Sequence, residues 1–475
     1  MRKTKIICTL GPSTDSDERV EELIRAGMDV ARFNFSHQTY PEHQARFERL
    51  VRIREKLGVP VAALLDTKGP EVRLGLIEGG QAELITGELF TLTTRSVLGN
   101  SKCASVSFQD LPKDVKPGDR ILIDDGLIEL VLLENDGENL VCQVLNGGRI
   151  SDRKGINVPN VSLSMPFLSE RDREDILFGI RTGFDFIAAS FTRTADDIRQ
   201  IKKLLEENGG RHIQVIAKIE NLQGVENIDE IISVADGVMV ARGDMGVEIS
   251  YENIPVLQKR LINKAYDAGK VVITATQMLD SMMKHPRPTR AEITDVANAI
   301  YDGTSAIMLS GETAAGAYPI ESVKVMATIA ERTEADINYE RRFRTRQGQH
   351  TPDVTNAISH ATVTTALDLK AKCIVTVTKY GKTARMISKY RPLCPIVACS
   401  PHEFVVRQLN LSWGITPLLV EEKTSTDELF AAAYAAAEEH GDIQKGDLVV
   451  TTAGVPLGIS GTTNLLRVDT IGDPV

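Results

Sequence analysis

Two short segments near the middle of the chain carry residues suited to binding a divalent cation and an anion together. The first contains Lys218 and Glu220, and the second contains Arg242, Gly243 and Asp244. Carboxylate oxygens are hard donors that suit Mg²⁺ or Mn²⁺ better than zinc. A metal ion beside a lysine ammonium can neutralise a phosphoryl group during its transfer, and also the oxyanion left behind. The sequence therefore predicts a metal-dependent anion site at Glu220, Asp244 and Lys218.

Apolar runs with strand character alternate with helical patterns along most of the chain. The strand patterns lie at 5–10, 29–35, 61–65, 185–191, 213–219, 237–241, 271–275 and 305–309. The helical patterns lie at 15–26, 41–57, 169–182, 196–208, 225–234, 255–268, 289–301 and 320–336. A strand followed by a helix, repeated eight times, predicts an α/β protein built on a (β/α)₈ TIM barrel.

Two further regions depart from this alternation. Between residues 71 and 166, turn residues separate short β-rich runs, which indicates an all-β insertion after the third strand. After residue 338 a charged stretch leads into a second, shorter series of strands and helices. We expect a catalytic barrel of residues 1–70 and 167–338, an inserted β-barrel lid domain of residues 71–166, and a C-terminal α/β domain of residues 339–475.

Polar residues occupy six of the eight expected strand ends. Barrel enzymes place their reacting groups at the carboxyl ends of the strands. The candidates are Arg32, Asn34, Ser36 and His37; Asp66, Thr67 and, just beyond, Arg73; Lys218, Glu220 and Asn221; Arg242, Gly243 and Asp244; Thr276 and Gln277; and Ser310, Gly311 and Glu312. Any one of them could be a helix cap or a structural ion pair. Agreement among six strand ends favours a functional rim.

Several of these residues have a chemistry that follows from their type. Arg32 and Arg73 can hold phosphate groups. Gly243 lets a ligand approach the backbone closely. Thr276 can hydrogen-bond a substrate or position a water for proton transfer, and the two-residue period of an extended segment puts Lys218 and Glu220 on the same side.

The overall composition restricts the class of protein. The net charge of −10 disfavours general nucleic-acid binding, so cations that hold an anionic substrate must be local. The six cysteines show no zinc-site spacing and are expected to be reduced and mostly buried. The N-terminus lacks the apolar run of a signal peptide, and no stretch is long enough to span a membrane. A cytoplasmic enzyme is expected.

Seven runs at these strand ends resemble the pyruvate kinase family. They are 4–12 (TKIICTLGP), 32–37 (RFNFSH), 65–73 (LDTKGPEVR), 216–221 (IAKIEN), 239–248 (MVARGDMGVE), 274–279 (TATQML) and 286–292 (PRPTRAE). The resemblance covers nearly the whole chain. It implies a phosphotransferase of glycolysis that converts phosphoenolpyruvate and ADP to pyruvate and ATP. A bacterial-type member without N- or C-terminal extension is expected.

The resemblance also implies a role for each matching residue. Lys218, assisted by Arg32 and Thr276, carries catalysis, and Arg32, Lys218, Gly243, Asp244 and Thr276 bind phosphoenolpyruvate. Glu220 and Asp244 bind Mg²⁺ or Mn²⁺, and Asn34, Ser36, Asp66 and Thr67 bind K⁺, for which Glu71 is a marker. Asn34, His37, Arg73 and Lys154 contact the nucleotide.

The C-terminal region contains a possible phosphate cradle. Hydroxyls, lysines and a glycine lie between an expected strand and helix, at Thr378, Lys379, Gly381, Lys382 and Thr383. A second loop with Gly461 and Thr462 could close on them. The resemblance implies a phosphorylated allosteric effector here and a homotetramer. A merely structural turn is the alternative.

Two other functions compete with this interpretation. Another metal-dependent barrel enzyme that handles a pyruvate enolate, such as an aldolase, would share the metal and lysine but would not need the K⁺-type residues or Arg73. A non-catalytic metabolite sensor would use only the C-terminal region. The complete set of Lys218, Glu220, Asp244 and Thr276 argues against a sensor.

Overall fold

The first strands and helices of the chain alternate as expected in the computed structural model, which describes residues 2–345, 353–457 and 463–473. They are β1 (Lys5–Thr9), α1 (Asp17–Ala26), β2 (Val30–Asn34), α2 (Tyr40–Leu57) and β3 (Ala62–Asp66). The three strands are almost completely buried. Such burial is typical of parallel strands that are covered on both faces.

The insertion after β3 is built almost entirely of strands. Its elements are β4 (Val72–Arg73), β5 (Gln81–Leu84), β6 (Leu89–Thr93), β7 (Cys103–Ser105), α3 (Leu111–Asp114), β8 (Arg120–Ile123), β9 (Ile128–Asn135), β10 (Asn139–Asn146), β11 (Gly148–Ser151) and β12 (Gly155–Asn157). Seven strands form a mixed sheet in the order β4-β12-β8-β9-β10-β6-β7, and β5 pairs with β11. A bridge between Leu74 and Val106 joins the two edges of the seven-stranded sheet, so the expected β-barrel form is found.

The two ends of the insertion are tied to each other. Strands β4 and β12 are antiparallel neighbours, with Arg73 opposite Gly155. The amide of Leu74 donates to the carbonyl of Lys154 at 2.8 Å. The chain therefore enters and leaves the insertion through one hydrogen-bonded neck.

The second part of the barrel completes the ring. Its elements are α4 (Glu170–Thr182), β13 (Phe186–Ala189), α5 (Ala195–Glu207), β14 (Gln214–Ile219), α6 (Leu222–Glu226), α7 (Ile228–Val234), β15 (Gly237–Ala241), α8 (Arg242–Glu248), α9 (Ile254–Asp267), β16 (Val271–Ala275), α10 (Arg290–Asp302), β17 (Ala306–Leu309), α11 (Gly311–Ala314) and α12 (Pro319–Asp336). The strands close in the order β1-β17-β16-β15-β14-β13-β3-β2. The predicted (β/α)₈ barrel is confirmed. The helix expected at 225–234 is instead two helices, and α8 and α11 are additions that the sequence patterns did not predict.

Local sequence signals set the limits of the barrel helices, as α4 illustrates. The hydroxyl of Ser169 accepts a hydrogen bond from the amide of Asp172 at 3.1 Å, which satisfies a backbone donor in the first turn. Gly183 ends the helix with a φ of 94°, a left-handed conformation that favours glycine. Helix α4 therefore begins and ends where its caps allow.

The C-terminal region forms a separate layered unit. Its elements are α13 (Tyr339–Thr345), α14 (Val354–Asp368), β18 (Cys373–Val377), α15 (Lys382–Lys389), β19 (Ile396–Ser400), α16 (Glu403–Leu409), β20 (Ile415–Leu419), α17 (Thr426–His440), β21 (Leu448–Gly454) and β22 (Thr463–Thr470). The five strands are ordered β20-β19-β18-β21-β22, and β22 runs antiparallel to β21. The expected α/β character is confirmed.

This C-terminal unit packs against the floor of the barrel, opposite the polar strand ends. Leu411 is fully buried and joins the cluster of barrel residues that includes Leu64 and Phe186. The side-chain Nδ2 of Asn410 donates to the carbonyl of Asp29 at 3.0 Å, just before β2. Across the described ranges, no helix is long and apolar enough to cross a membrane.

Candidate active site

Asp66 connects two cations at the carboxyl end of the barrel. Its Oδ2 accepts a hydrogen bond from Arg32 Nε at 2.6 Å, and its Oδ1 lies 3.0 Å from Lys218 Nζ. The side chain of Asp66 is 1% exposed. Burial acts to raise the pKa of Asp66, but Arg32 and Lys218 outweigh it and the pKa is lowered. The carboxylate is therefore ionised and fixes the positions of both cations.

Lys218 is held as an ammonium by three oxygen atoms. Its Nζ lies 3.0 Å from Asp66 Oδ1, 3.0 Å from Glu220 Oε1 and 2.6 Å from Ser190 Oγ. Burial acts to lower the pKa of Lys218, while Asp66 and Glu220 raise it, and the net direction is upward. A protonated lysine supplies a fixed positive charge and has no lone pair with which to act as a base.

Glu220 has one oxygen that fits a metal ion. Its Oε2 accepts a hydrogen bond from the amide of Phe191 at 2.6 Å. Its Oε1 is buried, approaches Lys218 and makes no hydrogen bond within the described ranges. Burial raises the pKa of Glu220 to about 7, with Lys218 lowering it and Asp244 raising it. A buried carboxylate oxygen that has an ion-pair contact but no hydrogen bond, near a second carboxylate, is a donor set that a divalent cation would complete.

Asp244 lies in the first turn of α8, and its charge acts to raise the pKa of Glu220. Over residues 2–345, 353–457 and 463–473, no group of three or more His, Cys, Asp or Glu side chains is placed to hold a metal ion. Glu220 and Asp244 would therefore share the ion with oxygens of substrate and water, which is the usual arrangement for Mg²⁺. The two predicted ligands fit that mode of binding.

Gly243 and Thr276 meet across the ends of β15 and β16. The amide of Gly243 donates to Thr276 Oγ1 at 2.7 Å. A Cβ added at Gly243 would lie 3.5 Å from the Thr276 side chain, an ordinary contact distance. The protein itself does not require glycine at this position, which leaves close approach of a ligand as the reason for it.

The predicted K⁺ ligands lie at or just after the ends of β2 and β3, and the side chains of three of them already have partners. Asn34 is opposite Asp66 in the register of these strands, and Asn34 Oδ1 accepts from the amide of Ser36 at 3.1 Å. Thr67 Oγ1 accepts from the amide of Ser190 at 3.1 Å. Asp66 contacts Arg32 and Lys218, as described above. The four residues provide oxygen donors, and a K⁺ ion would share them with these contacts.

Three of the four predicted nucleotide contacts line a cleft between the insertion and the barrel. The cleft has a volume of about 760 Å³, and His37, Arg73 and Lys154 lie on its walls together with Asp244. Arg73 donates to Glu71 Oε2 at 2.6 Å, and Lys154 pairs with Asp124 at 2.7 Å. Asn34 is not among the described residues that line it.

The candidate effector residues surround the beginning of α15. Gly381 precedes the helix with a φ of 80°, and Thr383 Oγ1 lies 2.8 Å from Thr463 Oγ1. Lys379 pairs with Glu422 at 2.7 Å, and Thr378 follows β18 in the same loop. Lys382 is exposed at the first position of α15. Gly461 and Thr462 lie outside the described residues.

Two residues of this site were missed by the sequence analysis. Ser190 contacts Lys218, and its hydroxyl also donates to the carbonyl of Thr67 at 2.6 Å. Phe191 has a φ of 54° and donates its amide to Glu220. Both follow β13, so the rule of polar strand ends could have found Ser190 had it been applied to the fourth barrel strand.

Comparisons with known proteins agree with this geometry. A family model described as "Pyruvate kinase, barrel domain" matches residues 1–323, and one described as "Pyruvate kinase, alpha/beta domain" matches residues 356–469. The chain is 50% identical to a pyruvate kinase of Clostridium acetobutylicum over 472 residues, which are 99% of this chain and 100% of the relative. It is 51% identical to a pyruvate kinase of Sporosarcina psychrophila over 475 residues, which are 100% of this chain and 81% of that relative.

A solved structure gives the same result. The crystal structure of a pyruvate kinase from Cryptosporidium parvum superposes with a TM-score of 0.95 at 41% sequence identity, and the alignment covers 99% of this chain and 96% of the other. Both the sequence and the fold match over nearly the full length. The chain therefore belongs to the pyruvate kinase family.

Proposed function

We propose that this chain transfers the phosphoryl group of phosphoenolpyruvate to ADP, giving pyruvate and ATP in the last step of glycolysis. The observation that carries this function is the position of Lys218, whose ammonium lies 3.0 Å from both Asp66 and Glu220 at the mouth of the barrel. Family membership over the whole chain supports the same reaction. A fixed cation next to two carboxylates suits a reaction in which negative charge moves.

In the transfer, the bond between phosphorus and the enol oxygen of phosphoenolpyruvate breaks. A bond forms between that phosphorus and a terminal oxygen of ADP. Lys218 would stabilise the charge on the moving phosphoryl group and on the enolate oxygen that remains, and Arg32 would hold the phosphate. Asp66 orients both side chains through its two oxygens.

Two cations would assist this arrangement. Glu220 and Asp244 would hold Mg²⁺ or Mn²⁺, which when bound neutralises phosphate charge and positions the oxygens of the substrate. Asn34, Ser36, Asp66 and Thr67 would hold K⁺, which adds positive charge near the phosphate. The buried Oε1 of Glu220, which contacts Lys218 but accepts no hydrogen bond among the described residues, supports the first assignment.

The enolate then takes a proton at its terminal carbon and becomes pyruvate. Thr276 is suited to hold the water that delivers this proton, because its hydroxyl lies at the strand end beside Gly243. Lys218 stays protonated throughout and is not the proton donor. His37, Arg73 and Lys154 would place ADP against the opposite side of the cleft.

The test is pyruvate formation from phosphoenolpyruvate, measured in a coupled assay with and without ADP, Mg²⁺ and K⁺. We expect pyruvate to form only with ADP and a divalent cation, and faster with K⁺. Removing the divalent cation with a chelator should abolish activity, and Mg²⁺ or Mn²⁺ should restore it. Pyruvate release without ADP would instead indicate transfer of the phosphoryl group to water, a phosphatase reaction, and no pyruvate under any condition would contradict the proposal.

We also propose a cytoplasmic homotetramer regulated by a phosphorylated effector bound by Thr378, Lys379, Gly381, Lys382 and Thr383. The helix that begins after Gly381 supports a phosphate cradle, and six free cysteines suit a reducing compartment. Lys382→Ala and Thr383→Ala should remove activation by phosphorylated metabolites and leave unactivated turnover unchanged. Activation that persists in both variants would contradict this site, and sedimentation would test the tetramer.

A further inference from the structure

Arg242 follows β15 at the rim of the barrel, and its guanidinium binds the end of the neighbouring strand. The side chain is 12% exposed, and it is not among the described residues that line the cleft. Its Nε donates to the carbonyl of Ala275 at 3.3 Å, and its Nη2 donates to the carbonyl of Thr276 at 2.7 Å. One guanidinium therefore holds two successive carbonyls where the chain leaves β16.

The other donors of this guanidinium are also in use. Nη1 donates to Asp295 Oδ1 at 2.6 Å and to Gln258 Oε1 at 3.3 Å, and Nη2 also donates to Met278 Sδ at 2.9 Å. A guanidinium has five N–H groups in a rigid plane, and here each of the five has an acceptor. Arg32, by contrast, donates only through Nε and Nη1 among the described residues. Arg242 therefore has no donor to spare for a phosphate, whereas Arg32 has.

The backbone that Arg242 holds has an unusual conformation. Thr276 has a φ of 71°, and Gln277 has a φ of 52°. Residues with a side chain seldom adopt positive φ, and such a conformation persists only where surrounding contacts fix it. Met278 follows with a fully buried side chain, whose sulfur accepts from the same guanidinium. The contacts of Arg242 thus span the left-handed segment from its first carbonyl to its buried end.

Thr276 is held at two points by residues that are adjacent in the sequence. The side chain of Arg242 holds its carbonyl, and the amide of Gly243 donates to its Oγ1 at 2.7 Å. The hydroxyl in turn donates to the carbonyl of Ala275 at 2.6 Å, which also accepts from Arg242. A threonine hydroxyl has one hydrogen and two lone pairs. One lone pair of Thr276 is therefore left to accept a hydrogen bond from a water molecule.

We infer that Arg242 is the positioning residue of Thr276, and that it aligns this lone pair for the water that protonates the enolate. The inference rests on the proposed function, in which the enolate remains after the phosphoryl group has left. A C–H bond forms at the terminal carbon as an O–H bond of the water breaks, and the water regains a proton from solvent. Arg242 touches neither the substrate nor the water. Its loss should therefore slow the proton step more than the phosphoryl transfer, which depends on Lys218.

The experiment measures two rates on one sample of the full-length protein. Phosphoryl transfer is followed as the ATP formed from phosphoenolpyruvate and ADP in a single turnover with Mg²⁺ and K⁺. The proton step is followed in reverse, as exchange of the methyl hydrogens of pyruvate for deuterium in D₂O with ATP, Mg²⁺ and K⁺, detected by proton NMR. The ratio of exchange to transfer does not depend on the fraction of folded protein, so a folding defect alone leaves it unchanged.

Two variants loosen the guanidinium contacts, and a third is the matched control. Arg242→Lys keeps the charge, but one ammonium cannot span both carbonyls and Asp295, so we expect the ratio to fall about tenfold as alignment for proton transfer is lost. Asp295→Ala removes one hydrogen bond from the outer edge of the guanidinium, and we expect a fall of about threefold. Arg407→Lys should leave the ratio unchanged, because Arg407 also pairs with a carboxylate, that of Asp185 at 2.8 Å, but lies before β13 at the other end of the barrel.

A double variant tests whether Arg242 acts through Thr276. Thr276→Val has no hydroxyl to align, so adding Arg242→Lys to it should lower the ratio by less than about twofold further. A further tenfold fall would mean that Arg242 acts independently of Thr276 and would overturn the inference.

Two other results have distinct meanings. A ratio in Arg242→Lys equal to that in Arg407→Lys overturns this inference alone, since both rates would then have changed together. An unaltered protein that forms no ATP from phosphoenolpyruvate and ADP overturns the proposed function, and this inference with it.

Discussion

Thr276 accepts a hydrogen bond from the amide of Gly243 at 2.7 Å while its own backbone has a φ of 71°. Gln277 follows with a φ of 52°. A β-branched residue in the left-handed region costs about 1–3 kcal/mol, so the surrounding structure must hold it there. Its hydroxyl also donates to the carbonyl of Ala275 at 2.6 Å, so two hydrogen bonds fix the direction of this hydroxyl at the strand end of the proposed site.

Replacing Thr276 with valine tests the role of that hydroxyl. Valine keeps the shape and the branching of the side chain but loses the acceptor for Gly243. We expect kcat to fall about 10- to 100-fold, because the group that positions the proton donor is gone, with a loss of stability of about 1 kcal/mol. Steady-state kinetics and urea unfolding measure both. Thr276→Ser keeps the hydroxyl and should retain most of the activity, and equal losses in the two variants would contradict the role.

Gly243→Ala separates ligand approach from folding. The added methyl group makes only ordinary contacts with Thr276, so thermal unfolding should be unchanged. We expect kcat/KM for phosphoenolpyruvate to fall about tenfold or more, because the methyl group occupies space that the ligand needs. Gly246→Ala is the control, since nothing lies within 4 Å of a Cβ added there on the same helix. Kinetics of Gly243→Ala equal to those of the control would show that the ligand does not approach at Gly243.

Lys218→Met should remove most of the turnover. The loss of one fixed charge at a developing anion lowers kcat about 10²- to 10³-fold. Single-turnover measurement of phosphoryl transfer would show that the chemical step has slowed. Lys203→Met, an exposed lysine on α5, should behave like the unaltered protein. A kcat within about threefold of the unaltered protein would exclude Lys218 from the transfer.

His43 should make the fold sensitive to acid. Burial lowers its pKa to about 4 from 6.5, because its ring stacks on Phe35 at 4.0 Å and its Nδ1 has no partner among the described residues. The folded state therefore binds fewer protons than the unfolded state between these values. This contribution to stability is complete above about pH 6.5 and is lost as pH falls toward 4, by on the order of 3 kcal/mol.

Comparing the unaltered protein with His43→Gln isolates that contribution. Asp175 lies nearby, and burial raises its pKa to about 6, so its contribution changes with pH in the opposite direction. Asp175 is present in both proteins, so its pH-dependent contribution cancels when the unfolding free energy of one protein is subtracted from that of the other. We expect the difference to shrink steadily from pH 7 to pH 4.5. A constant difference across this pH range would contradict a buried neutral His43.

The barrel could be predicted from the sequence because each strand is buried on both faces and appears as a short apolar run. The helix at Arg242–Glu248 could not, because Gly243 and Gly246 give this segment a weak helical tendency. The contact with Thr276 and the position at the end of β15 stabilise it instead. The helical conformation of this segment therefore depends on tertiary contacts, because its local helix propensity is weak.

The site was predicted as a set of residues but not as a network. The strand-end rule placed Asp66 and Lys218 on one rim, yet only the structure shows that Asp66 divides its two oxygens between Lys218 and Arg32. Side-chain directions across three strands depend on the barrel's register and tilt, which periodicity does not supply. The same limit explains why the contact between Ser190 and Lys218 was not expected.

The hydrogen-bonded neck of the insertion has a consequence for how this architecture is inherited. Because β4 and β12 pair where the chain enters and leaves, the insertion can be exchanged between barrels as a cassette without opening either core. Arg73 and Lys154 lie on this neck, so both residues would be transferred together with the insertion. Under the proposed nucleotide contacts of Arg73 and Lys154, a chimera that receives a relative's insertion would acquire that relative's nucleotide preference while keeping its own chemistry for phosphoenolpyruvate.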